Sequence, residues 1–143
     1  MVVVQFGKGV VTLVTFEGLR LEEGMPIYLQ IIRYLERGIA AGTVRDGDEL
    51  PSRRVLSARL GVNPNTVQKA YRTLEEEGVI ASRSGAKSEV TLTPETVEAV
   101  RRQLLEQEAG SLVRALRQAG LDKAAALALL DRLWDETEKE EGT

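Results

Sequence analysis

The sequence of 143 residues contains no cysteine and no histidine. Without cysteine there is no disulfide framework, no thiolate nucleophile and no redox switch. Without histidine the usual general base and the commonest metal ligand are missing. No Ser–His–Asp or Cys–His arrangement is possible, and no glycine-rich phosphate loop follows a strand, so an enzyme is not expected. Gly7-Lys8-Gly9 is too short to cradle a phosphate. Aromatic residues make up only 4%. No apolar run is long enough for a membrane span and no signal-peptide pattern opens the chain, which points to a cytoplasmic protein. Repeats and low-complexity linkers are absent as well.

What is present is a soluble composition, 43% hydrophobic and 29% charged,. The net charge of −3, taken as a sum, argues against an anionic partner. Its distribution argues the other way. Residues 28–91 hold ten Lys/Arg against eight Asp/Glu, whereas residues 94–143 hold seven against eleven. The acid sits on the tail, and the face that carries charge matters more than the sum.

The middle of the chain reads as two short helices joined by a tight turn. Ser52 is placed to N-cap the first, Val55, Leu56 and Leu60 form its apolar stripe, and Gly61 supplies the left-handed end,. Asn63 caps the second helix and Pro64 takes its first position, where a missing N–H costs nothing,. Val67, Ala70, Tyr71 and Leu74 keep one face in a core, with Tyr71 a core residue and not a base-stacking one,. The opposite face carries Asn65, Thr66, Gln68, Lys69 and Arg72, all donors to a phosphate or a base edge, and Arg53 and Arg54 at the front of the preceding helix are further candidate contacts,. Ahead of this pair, Pro26 to Ala41 forms a helix with Ile27, Ile31, Leu35 and Ile39 on one side and Gly42 beyond its end. Behind it, Val79–Arg83 and Glu89–Leu92 alternate as strands around a turn at Ser84–Ser88, a wing with Arg83 and Lys87 near its tip,.

These runs, from Pro26-Ile27-Tyr28-Leu29-Gln30-Ile31 through Leu50-Pro51-Ser52-Arg53-Arg54 and Gly61-Val62-Asn63-Pro64-Asn65-Thr66-Val67 to Ala70-Tyr71-Arg72-Thr73-Leu74, resemble the GntR family of bacterial transcription regulators. The likeness covers about half the chain, and the short helical tail is most similar to the small YtrA-like subgroup. It implies that Arg54 grips the DNA backbone or a base, that Asn63, Asn65 and Thr66 touch DNA at the head of the recognition helix, and that Gly85 sits at the wing tip. Some members carry arginine where this chain has Gln68, which bears on operator sequence and not on DNA binding itself. The resemblance also implies a target promoter near an operon, often one for an export or ABC-type transporter.

The expected fold is mainly α with a small β wing. Residues 1–24 form an N-terminal strand or hairpin extension, Val2–Phe6 against Val10–Phe16 around glycines, that adds to the wing sheet or a dimer, with the first dozen residues an addition or a disordered start. Residues 25–92 are the winged helix-turn-helix. Residues 93–143 are two tail helices, Pro94–Ala119 and Lys123–Glu140, with Thr93 and Asp122 as caps. The tail leaves Leu112, Leu116, Leu129, Leu130, Leu133 and Trp134 on faces that two helices alone cannot bury, so a homodimer is expected. Asp131, Asp135 and Glu138 share a helical face, but acids on the outside of a terminal helix are ordinary solvated charge, and no metal or cofactor is expected. A small-molecule effector would have to use the dimer cleft, since two helices are too small to close a pocket. The expected partners are double-stranded DNA and a second copy of the chain, at a pseudo-palindromic operator bound by a repressor. The alternative is a winged-helix module whose partner is protein and whose DNA binding ignores sequence.

Overall fold

The computed structural model describes residues 2–6, 9–83 and 87–142. The element order is β1 (Val2–Phe6), β2 (Gly9–Leu13), α1 (Ile27–Ala41), β3 (Glu49–Leu50), α2 (Arg53–Leu60), α3 (Pro64–Glu76), β4 (Ile80–Ser82), β5 (Ser88–Val90), α4 (Pro94–Gln118) and α5 (Lys123–Glu141). Contacts divide the chain into two compact units, Met1–Leu104 and Leu105–Thr143. The chain is mostly helical, with one small sheet.

In the first unit, α1, α2 and α3 surround a core in which Ile31, Leu35, Leu56, Val67, Ala70, Tyr71 and Leu74 are completely shielded from solvent. Local signals set the helix ends. The Ser52 hydroxyl accepts from the Val55 N–H at 3.2 Å, and the Asn63 side-chain oxygen accepts from the Asn65 N–H at 2.8 Å. Gly61 lies at φ 67°, the left-handed conformation that lets α2 stop and α3 start within three residues,. Val62 donates its N–H to Ser57 O and completes the turn. The two stripes differ in detail from the periodicity. Ile27 is 36% exposed because it lies in the first turn, at the rim of the core, and Ile32 is buried further along. Val55 is 41% exposed because the buried arc of α2 runs through Leu56, Ser57 and Leu60 and turns Val55 away.

One five-stranded sheet, in the order β1-β2-β3-β5-β4, flanks the helices. β1 and β2 form an antiparallel hairpin. β2 pairs parallel to β3, with Leu13 opposite Glu49. β3 then pairs antiparallel with β5, and β5 with β4, to make the wing. The N-terminal hairpin thus extends the wing sheet through β3, a two-residue strand that the sequence pattern does not mark. The wing strands are shorter than the alternation implies, and Arg83 N–H to Lys87 O at 2.8 Å closes them toward the turn. The first turns of α4 belong to this unit. Thr93 Oγ1 accepts from the Thr96 N–H at 3.1 Å, and Val100 and Leu104 are buried.

The second unit is a helical pair. Gly120, at φ 88°, ends the first helix and the Asp122 carboxylate accepts from the Ala125 N–H at 2.9 Å to open α5. No residue of α5 is buried. No helix among the described residues is long and apolar enough to cross a membrane.

Candidate nucleic-acid interface

The front of α3 is the centre of the site. Pro64 occupies the first turn, so this end has one N–H fewer to satisfy,. Asn63 and Asn65 are exposed, and Thr66 and Gln68 are half-buried on the same end of the helix. Asn63 spends its oxygen on the cap and keeps its NH2 for a partner,. Behind them Val67, Ala70, Tyr71 and Leu74 anchor the helix, and the Tyr71 hydroxyl donates to Pro51 O at 2.6 Å. Burial pushes the Tyr71 phenol well above its ordinary range, with the Arg53 charge acting in the opposite sense, so the hydroxyl remains a donor,. This bond ties α3 to the segment that leads into α2.

The basic residues fall into two groups. Arg54, Arg72 and Lys87 are exposed. Lys69 and Arg83 are exposed too and Arg53 is half-buried, but each of these three has a partner within the protein. Arg53 Nη2 lies 3.0 Å from Glu75 Oε1, and its guanidinium carbon stands 5.2 Å from the centroid of the Tyr71 ring. The same Glu75 oxygen accepts from the Ser82 hydroxyl at 2.7 Å, so one carboxylate joins α2, α3 and β4. Arg53 Nε is buried without a protein acceptor among the described residues. Arg83 donates to Glu89 across the wing, and that hydrogen bond, with the carboxylate charge, holds its guanidinium protonated still more firmly. Lys69 Nζ sits 3.9 Å from the centroid of the Tyr28 ring. Gly85, expected at the wing tip, lies outside the described residues.

Sequence spacing does not reveal Glu75, Glu89 or Tyr28 as partners of these cations, nor Ser82 as a second donor to Glu75. Arg53 and Glu75 stand 22 residues apart, and only the packing of α2 on α3 brings them together. Among the described residues no group of three or more Asp or Glu side chains is placed to hold a metal ion.

A short helix, a tight turn, a second helix opening on exposed amides, and a two-stranded wing define a winged helix-turn-helix, the class built to put one helix into a DNA groove. Residues 27–90 match the family described as bacterial regulatory proteins, gntR family. The chain is 34% identical over 108 residues to the HTH-type transcriptional repressor YtrA of Bacillus subtilis (strain 168), covering 76% of this chain and 78% of that protein. It is 29% identical over 108 residues to the uncharacterized HTH-type transcriptional regulator YhcF of the same organism, covering 76% and 89%. Among solved structures it is similar to a GntR family transcriptional regulator from Listeria monocytogenes, with a TM-score of 0.67 and 30% identity over 78% of this chain and 98% of that one. The chain belongs to the GntR family of DNA-binding transcriptional regulators, among its short-tailed, YtrA-like members, and is not an enzyme.

Proposed function

We propose that the protein is a homodimeric repressor that binds a pseudo-palindromic operator in the cytoplasm. The observation that carries the dimer is the bare face of the second unit. Trp134 is 70% exposed, Leu127 56%, Val113 53%, and Leu112 and Leu133 42% each. Leu112, Val113, Leu116, Leu121, Leu127 and Leu130 line a groove of about 560 Å³ between the two tail helices. Fully burying an exposed side chain of this kind is worth about 1.5–3 kcal/mol, and these half-covered ones about half of that each, and an apolar patch of this extent marks an interaction surface. The same helices of a second chain, related by a two-fold axis, supply a self-complementary cover. Leu129, Leu130, Leu133 and Trp134 on α5 and Leu112 and Leu116 on α4 form the interface in this reading.

Each subunit then places the front of α3 in a major groove. Asn63, Asn65, Thr66 and Gln68 face base edges and nearby phosphates, Arg54 anchors the helix from α2, and Lys69 and Arg72 take phosphates. Arg53, held by Glu75 and the Tyr71 ring, is a second contact beside Arg54, and the wing, through Arg83, Gly85 and Lys87, touches the backbone or the adjacent minor groove. Repression is supported by the name of the YtrA relative. A transporter operon as target, and an effector at the dimer cleft, rest on the family resemblance. Selection of genomic fragments with the purified full chain, followed by competition against random duplex, tests the reading. A selected fragment that outcompetes random duplex by at least about 10³-fold is the expected result. Equal, salt-sensitive competition by both duplexes would favour a module whose main partner is protein.

A further inference from the structure

We propose that Tyr28 is a positioning residue for DNA binding, which holds the Lys69 ammonium where it meets a backbone phosphate; this rests on the Lys69 contact proposed above. Tyr28 stands in the first turn of α1 and packs against the core cluster of the first unit. The Lys69 Nζ lies 3.9 Å above the centre of its ring. Both residues line an open cleft of about 430 Å³ between the front ends of α1 and α3, with Asn63, Asn65 and Thr66 on the α3 side. Among the described residues, no carboxylate lines the cleft. That separates Lys69 from Arg53 and Arg83, whose charges are matched by Glu75 and Glu89. A carboxylate fixes a cation by neutralising it. An aromatic face fixes it through the ring quadrupole and leaves its full charge for an anion. The ammonium has three donors, and those turned away from the ring remain available. Lysine otherwise loses much rotamer freedom on making one contact, and the ring removes most of that freedom before DNA arrives. A phosphate of the duplex backbone matches the charge and the mixed amide, hydroxyl and ammonium lining.

The test uses the full chain and a fluorescein-labelled random-sequence duplex, since a phosphate contact does not depend on sequence. Four variants are compared with the parent: Y28F, Y28L, K69A and the double Y28L/K69A. Y28F keeps the ring and is expected to bind like the parent. Y28L is expected to weaken binding about threefold, within the cost of ordering one free side chain on binding, and to have no further effect in the K69A background. A spectroscopic readout stands apart from affinity. In the parent and in Y28F the Lys69 ε-methylene protons should be shifted upfield by the ring, and in Y28L they should return to the value of free lysine. If Y28L does not fold, Y28M, apolar and unbranched, takes its place. Two results overturn the proposal: an equal loss from Y28L with and without Lys69, or Lys69 ε-methylene protons at the free-lysine value in the parent. K69A separates this from the wider reading. If K69A leaves affinity and salt slope unchanged, the Lys69 contact itself is wrong; if K69A weakens binding but Y28L acts independently of it, only the role of Tyr28 fails.

Discussion

Arg53 and Arg54 are neighbours in the chain with different surroundings. Arg54 is exposed, whereas Arg53 lies against Tyr71 and pairs with Glu75. The two alanine variants should therefore fail differently. Arg54→Ala should lose about 1–3 kcal/mol of operator affinity, the worth of a good bidentate contact, with an unchanged melting temperature. Arg53→Ala should lower stability by about 1–2 kcal/mol, since it removes a partly shielded pair and leaves Glu75 with the Ser82 hydroxyl alone,. Titration of operator duplex alongside thermal melts checks both; an Arg54→Ala protein that binds like the parent would remove the anchor. At the head of α3, Asn65→Ala and Thr66→Ala should change which sequences are preferred. Lys69→Ala should weaken all sequences alike and reduce the salt slope by about one.

The elements were legible in proportion to how local their causes are. The ends of α2, α3 and α5 rest on side chains two or three residues away: Ser52 to Val55, Asn63 to Asn65, Asp122 to Ala125. A reader of the sequence has both partners in one window. The buried face of α3 was equally clear because Val67, Ala70, Tyr71 and Leu74 follow a single helical period. β3 was not legible. Its two residues have strand geometry only because β2 and β5 arrive on either side, and no local pattern announces a pairing made across the chain. The same holds for the bonds of Arg53, Lys69 and Arg83, which fix how free each candidate contact is. Within α1 one close approach gives a further prediction. A Cβ on Gly38 would stand 2.5 Å from Val44 Cγ2. Gly38→Ala should therefore destabilise the first unit by about 1–3 kcal/mol, as overpacking does. Chemical denaturation measures it, and a variant as stable as the parent would show that Val44 moves aside freely.

At the scale of the molecule, the proposed dimer assigns the oligomer to the second unit and the contact with DNA to the first. Removing Lys123 to Thr143 should abolish dimerisation and operator binding together, because a monomer keeps only one half-site. Sedimentation and gel shift test this, and a truncated dimer that still binds full operator would move the interface to another surface. Two recognition helices on one face of B-DNA lie about 34 Å apart. Footprinting of selected fragments should then show two inverted half-sites about ten base pairs apart, adjusted by the wing. A single asymmetric footprint would rule out the two-fold arrangement. Sheet order also governs when the first unit is finished during synthesis. β3 lies between β2, which leaves the ribosome before it, and β5, which leaves after all of α3. The nascent helices α1 to α3 can gather around their core while β3 still lacks its antiparallel neighbour. The wing and its joint to the hairpin close only after these helices, and the first turns of α4 after the wing, so a chain stalled before Ser88 has its recognition helix but leaves one edge of β3 open to other unpaired strands,.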